Sequence, residues 1–167
     1  SSDLYTQLIA RRIRESSVYC EIVAAGISAA QVQARAPAAL VLSGGPSSVY
    51  DDGAPTLDPA ILDLGLPILG ICYGMQIIAH VGGGRVERAP HREYGRAALK
   101  VERASGVFAE LTSGEEIQVW MSHGDRIAAM PPGFVTTATS GNSPFCAAEH
   151  ADKRIYGDRK STRLNSS

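Results

Sequence analysis

The sequence has little surplus charge and no long apolar run. Its 16 lysines and arginines nearly cancel 17 aspartates and glutamates, leaving a net charge of -1 over 167 residues. That balance offers no electrostatic footprint for nucleic acid or an anionic membrane. The longest apolar stretches fall far short of a membrane span. Nothing at the N-terminus reads as a basic-then-apolar signal segment, because Ser1, Ser2 and Asp3 lead straight into a helical pattern. Linker composition, internal repeats and heptad runs are missing as well. One domain is expected, with a core large enough to be stable unaided.

Cysteine is scarce too. Cys20, Cys72 and Cys146 are an odd number without CxxC or metal-ligand spacing, so they read neither as a disulfide framework nor as a zinc site. A cytoplasmic setting with reduced thiols is the default, and it leaves room for one thiol to be kept for its reactivity.

What is present is an alternation of patterns. Residues 4–13 set Leu4, Leu8, Ile9 and Ile13 on one helical face, with Gln7, Arg11, Arg12 and Arg14 outside it. Residues 18–23 have the composition of a strand. Residues 38–42 form a short apolar run that stops at Ser43-Gly44-Gly45-Pro46, as a buried parallel strand does when it enters a tight loop. Asp58 and Pro59 supply a helix N-cap and a first-turn proline, and Gly65 a stop. A second buried run covers 66–71, and 75–81 is helical, closed by Gly82, Gly83 and Gly84. Strands alternating with helices predict a parallel α/β sheet. After Arg85 the style changes to short strands at 97–101, 117–121, 135–138 and 145–148, separated by turn residues. The expected fold is therefore α/β: a mostly parallel open sheet with flanking helices, extended by antiparallel strands in the C-terminal half.

The sharpest chemical signal is Gly70-Ile71-Cys72-Tyr73-Gly74, where a buried strand runs directly into a helix. This is the nucleophile-elbow arrangement with cysteine in place of serine. Glycines two residues either side relieve crowding in a strained turn. The sulfur of Cys72 stands at a helix N-terminus, where peptide dipoles favour a thiolate. The N–H of Tyr73 points to where a substrate oxyanion would form. The same five residues also arise by chance around a buried structural cysteine; the flanking strand and helix favour catalysis. Cys20 and Cys146 lack that context and read as structural. Gly44 and Gly45 end the preceding strand, on the sheet edge where parallel α/β proteins bind ligands, and could bring backbone N–H groups close to a substrate. Trp120-Met121-Ser122-His123-Gly124-Asp125 ends another strand in a polar cluster, with His123 a base, a substrate contact or a residue satisfied by its loop.

Together, SGGPSSVYDD, LPILGICYGMQIIAHVGGGRVE, HREYGRA and EEIQVWMSHGDRI resemble the class I (triad) glutamine amidotransferase family, in the form found in GMP synthases. The resemblance runs from about Tyr5 to Gly157. It implies hydrolysis of L-glutamine to release ammonia, which an ATP-dependent synthetase domain or subunit would use to convert XMP to GMP. It implies Cys72 as nucleophile through a γ-glutamyl thioester, and Gly45 and Tyr73 as oxyanion-hole N–H donors. Gln76, Ser122 and His123 match the region that holds glutamine. No cofactor or metal is implied for this domain; ATP and magnesium belong to the synthetase part.

The sequence also departs from that family. The activating histidine and glutamate of the family lie in a Phe-His-Pro-Glu segment after a strand like residues 154–157. Here Gly157 is followed by DRKSTRLNSS, and none of His80, His91, His123 and His150 precedes Pro-Glu. The family's first apolar strand has no counterpart before Tyr5. The expectation is a fragment with residues 1–157 as the amidotransferase domain, cut at both ends, and 158–167 as a non-native tail. That tail holds three basic residues and one acidic residue, so it carries +2 and the rest of the chain -3. A non-catalytic fragment or pseudo-enzyme that only binds a partner is the main alternative. Another elbow-type cysteine hydrolase would leave MSHGD and HREYGRA unexplained.

Overall fold

The apolar runs at 38–42 and 66–71 become β1 (Leu40–Leu42) and β2 (Ile68–Ile71), side by side and parallel, with Leu40 opposite Ile68. The computed structural model describes residues 2–44, 48–106, 109–141, 143–158 and 162–163, with 2–3, 89–94, 120–124 and 162–163 described by their backbone alone. Helix α1 (Ser2–Glu15) precedes α2 (Ala29–Arg35) and β1, and a 3-10 helix (Pro59–Asp63) links β1 to β2. Then come α3 (Tyr73–Val81), β3 (Arg85–Val101), β4 (Glu116–Ala129), β5 (Phe134–Ser140), β6 (Ser143–His150), β7 (Ile155–Asp158) and β8 (Thr162–Arg163).

All described strands join one sheet in the order β1-β2-β7-β6-β5-β3-β4-β8. The chain returns from the antiparallel half to insert β7 parallel to β2, with Ile155 opposite Ile68 and Asp158 opposite Ile71. The parallel part is thus β1, β2 and β7, and every other pairing is antiparallel. This is the expected α/β class, with its antiparallel extension in the C-terminal half.

Local chemistry explains the connections. The Asp58 carboxylate accepts the N–H of Ala60 at 3.1 Å and the N–H of Ala29 at 2.8 Å. One side chain therefore caps the 3-10 helix and receives the start of α2. These backbone hydrogen bonds hold the Asp58 carboxyl below its ordinary pKa of 3.8. Gly65 follows the 3-10 helix at φ 78°, a stop that only glycine takes readily. Helix α2 opens on a capping box between Ser28 and Gln31, a signal present in the sequence.

Helix α3 is the hub. Tyr73, Gly74, Met75, Gln76, Ile77, Ile78 and Ala79 are all buried, so the helix has core on several sides rather than one apolar stripe. Tyr73, Ile77 and Ile78 pack with Val32, Leu57, Ile61, Ile68 and Ile155. Met75 and Ala79 pack with Val86, Ile127 and Ala148. Gly157 of β7 makes the space for Met75, since a Cβ there would lie 2.6 Å from its Cγ. A separate cluster of Leu99, Val101, Ile117, Val119, Ala138, Cys146 and Ala147 holds the antiparallel half. Cys146 is fully buried within it.

Two expectations need correction. Residues 18–23 form no strand. Among the described residues nothing pairs with that segment, and Tyr19, Val18 and Ile22 are exposed. Strand composition is realised only where another strand supplies hydrogen bonds. Here the segment is held by Arg14 on the Cys20 carbonyl and by Glu21 bonded to Tyr19 and Arg35. The second correction concerns 121–125, expected as a loop after a strand. The strand does not stop there: β4 runs through to Ala129, because β3 is long enough to pair with it on both sides of an irregularity between Arg88 and Glu93.

Candidate active site

Cys72 stands between the last residue of β2 and the first of α3, with φ 56° and ψ -113°. A non-glycine residue in that region costs on the order of 1–3 kcal/mol, tolerated where the surroundings over-determine it. Here they do. The Cys72 N–H donates to the Asp158 carbonyl at 2.8 Å, and the Cys72 carbonyl accepts from Met75 at 3.0 Å and Gln76 at 3.2 Å. The strand ladder grips the residue from one side and the first turn of α3 from the other.

The flanking glycines are there for close packing. A Cβ on Gly70 would lie 2.6 Å from Ile78 Cδ1 and 2.8 Å from the Gly74 carbonyl. A Cβ on Gly74 would drive into the Leu42 carbonyl, 2.7 Å from its carbon. The strand, the elbow and the neighbouring β1 are therefore in backbone contact, and the crowding expected at the two glycines is with α3 and β1 rather than with the nucleophile itself. Gly44 adds a third close approach, where a Cβ would meet Cys72 Cβ at 2.9 Å and Tyr5 Cε1 at 3.3 Å. The loop after β1 thus passes directly against the nucleophile candidate.

Tyr73 occupies the first helical position, whose N–H has no carbonyl within the helix to receive it. Its hydroxyl donates to the Pro55 carbonyl at 2.5 Å, and burial, then Asp51, raises its pKa. Gln76 is 4 % exposed and lies one turn after Cys72 on the same helix face. Gly45 lies outside the described residues. Ser122 and His123 sit in β4, their backbones opposite Tyr94 and Glu93 of β3, and α3 packs against both strands. Their side chains lie outside the described residues, as does that of His91. The other two histidines are engaged elsewhere. His80, two turns along α3 from the elbow, meets the Tyr50 ring edge-on, and His150 accepts the N–H groups of Asp152 and Lys153 at 3.0 Å against the Phe134 ring.

Two residues at the elbow were not foreseen. The Tyr5 ring of α1 comes to the Cys72 side chain across Gly44; burial first, then the thiol and Asp158, pushes the phenol up to about 12. Asp158 is 8 % exposed at the end of β7. Tyr5 could have been sought on the face of the first helix, but its partner is 67 residues away and no spacing rule links them.

Comparison with known proteins identifies the family. The profile of the family "Glutamine amidotransferase class-I" matches residues 1–158. The glutamine-hydrolyzing GMP synthase of Latilactobacillus sakei subsp. sakei (strain 23K) is 51 % identical over 154 residues, covering 92 % of this chain and 29 % of that protein. The GMP synthase of Bacillus cereus (strain G9842) is 52 % identical over 153 residues, covering 92 % of this chain and 30 % of the relative. The chain therefore spans about 30 % of the length of these curated relatives. Among solved structures, a Thermoplasma acidophilum protein assigned as a GMP synthase subunit superposes with a TM-score of 0.81 at 30 % identity, over 93 % of this chain and 77 % of its own. A glutamine amidotransferase from Thermotoga maritima has the same fold at 21 % identity, TM-score 0.69, over 92 % of this chain and 68 % of its own. A strained cysteine between a buried strand and a buried helix, in a chain matched almost end to end, places this protein in the class I glutamine amidotransferase family.

Proposed function

We propose that the chain is the glutamine-hydrolysing domain of a GMP synthase and that Cys72 is its nucleophile. The observation that carries this is the elbow: Cys72 at φ 56°, wedged by Gly70, Gly74 and Gly44 at the carboxyl end of β2. In this reading the Cys72 thiolate attacks the side-chain amide carbon of L-glutamine. The carbonyl π pair moves onto oxygen, received by the N–H groups of Tyr73 and Gly45. Collapse expels the amide nitrogen, which takes a proton and leaves as ammonia, and a γ-glutamyl thioester remains. Water then adds to the thioester carbonyl, releasing glutamate and the thiol. Gln76, Ser122 and His123 hold the substrate. The ammonia serves a synthetase domain or subunit that aminates ATP-activated XMP, and ATP and magnesium act there. The setting is cytoplasmic, supported by the likeness to GMP synthases and by cysteines in no disulfide-type spacing.

The sequence has no histidine followed by Pro-Glu to activate the thiol. By analogy with serine-protease triads, losing a triad member costs about 10⁴-fold in rate, the oxyanion hole and binding leaving a residue. We therefore place the glutaminase activity of these 167 residues far below that of a complete domain. The alternative reading is a partner-binding fold without catalysis.

Ammonia release from glutamine separates the two. A chain extended after Gly157 with a Phe-His-Pro-Glu segment should release ammonia, and Cys72→Ala should abolish it. A folded, extended chain that releases none refutes the enzyme reading; release that survives Cys72→Ala means another nucleophile.

A further inference from the structure

Tyr5 has no part in the mechanism above, yet the fold brings it against the nucleophile. Helix α1 is tied to the end of β1 by a hydrogen bond between the Thr6 and Ser43 hydroxyls at 2.7 Å. The next residue, Gly44, lacks a side chain where both the Tyr5 ring and the Cys72 Cβ converge, at 3.3 and 2.9 Å from where its Cβ would stand. The Thr6 anchor and the Gly44 gap together bring the Tyr5 ring to the side chain of Cys72.

We propose that Tyr5 is a positioning residue for Cys72: its hydroxyl donates a hydrogen bond to the sulfur, fixes the thiol rotamer at the elbow and favours the thiolate. The inference rests on Cys72 being the nucleophile. No proton changes owner between the two, because the phenol is the weaker acid; burial and its two acidic neighbours keep it protonated through the neutral range. A donor to the charged form lowers the pKa of the group that carries the charge. Among the described residues, the charged groups that act on the Tyr5 phenol are the thiol at the start of α3 and the Asp158 carboxyl on β7. The other phenol nearby, Tyr73, is turned to the Pro55 carbonyl. Tyr5 is thus the phenol that the fold brings to Cys72.

The test is the pH dependence of iodoacetamide alkylation in the full chain, read at Cys72 by peptide mass spectrometry. Cys20, part-buried beside the Ala10 carbonyl of the same helix, serves as the internal reference. Tyr5→Phe keeps the ring and removes the donor. It should move the Cys72 profile upward by about one pH unit, so that alkylation below the midpoint slows about tenfold, with the Cys20 profile unchanged. An unmoved Cys72 profile overturns the inference, and so does an equal shift at Cys20, which would mark a general loosening of α1. Should Tyr5→Phe not fold, the reciprocal measurement decides. Cys72→Ala should lower the titration of the Tyr5 ring, followed by NMR of ring-labelled tyrosine, and a phenol that still titrates near its parent value overturns the proposal. A parent Cys72 that reacts at no pH while Cys20 reacts normally removes the nucleophile reading itself.

Discussion

The N–H of Cys72 and the carbonyl of Asp158 are joined at 2.8 Å, so the last residue of β7 closes the ladder on the strained residue of the elbow. β7 comes from the far end of the chain and inserts between β2 and β6. The elbow is therefore held by a contact between residues 86 positions apart, and not by its own loop alone.

The glycine at the second position of α3 answers to the backbone of another strand. Gly74→Ala would press a methyl into the Leu42 carbonyl, which cannot swing aside as a side chain does. The expected loss is about 1–3 kcal/mol or more. Gly26, with nothing within 4 Å of its Cβ position, is the control, and its alanine variant should stay within about 0.5 kcal/mol of the parent. Urea unfolding of the two variants checks the contrast.

Met75 is fully buried and fills the groove left by Gly157. Truncating it leaves a cavity between α3 and β7 as well as lost contacts, so Met75→Ala should cost about 2–5 kcal/mol. The opposite error, Gly157→Ala, overfills the same groove, and the pair together should be less damaging than the sum of the singles. A double-mutant cycle in chemical denaturation reads the coupling.

Asp58 predicts a pH dependence. Its folded pKa lies below the ordinary 3.8 because the Ala29 and Ala60 N–H groups stabilise the carboxylate. A lowered folded value means that its contribution is fully present above 3.8 and is lost as pH falls through the folded pKa. Asp58→Asn keeps the shape but removes the titration. The variant should be less stable than the parent near neutrality, and the gap should shrink in acid. Denaturant midpoints at neutral and strongly acidic pH measure it; a gap that does not change with pH contradicts the assignment.

The anchor of α1 should also matter on its own. Thr6→Val removes the hydroxyl that meets Ser43 at 2.7 Å and leaves the shape nearly unchanged. A loss of about 1 kcal/mol is expected. Differential scanning calorimetry of the variant would show it as a lowered Tm.

The elbow was legible in the sequence because its constraints are local. A buried strand, a cysteine flanked by glycines at two residues on each side and an apolar helix follow one another without interruption. The structure fills in which atoms forbid a side chain: Leu42 for Gly74, Ile78 for Gly70. Asp58, Pro59 and Gly65 were legible for the same reason, since capping and φ preferences are decided within a few residues. The strand reading of 18–23 failed because a strand is a property of a pair, and apolar β-formers without a neighbour remain an exposed irregular segment. The stop expected near Met121 failed for the complementary reason: β3 supplies a partner that carries β4 past the polar residues. Tyr5 and Asp158 were illegible because each reaches Cys72 only through the tertiary fold.

The seven successive buried residues of α3 have a consequence for motion. A helix with a wet face can fray or peel away alone, but one embedded between two core clusters opens only when both clusters part. Its amide hydrogens should therefore be among the slowest to exchange with solvent, at a rate set by global unfolding. Cys72 rides on the first turn of that helix, so the sulfur is carried by the part of the fold that opens last.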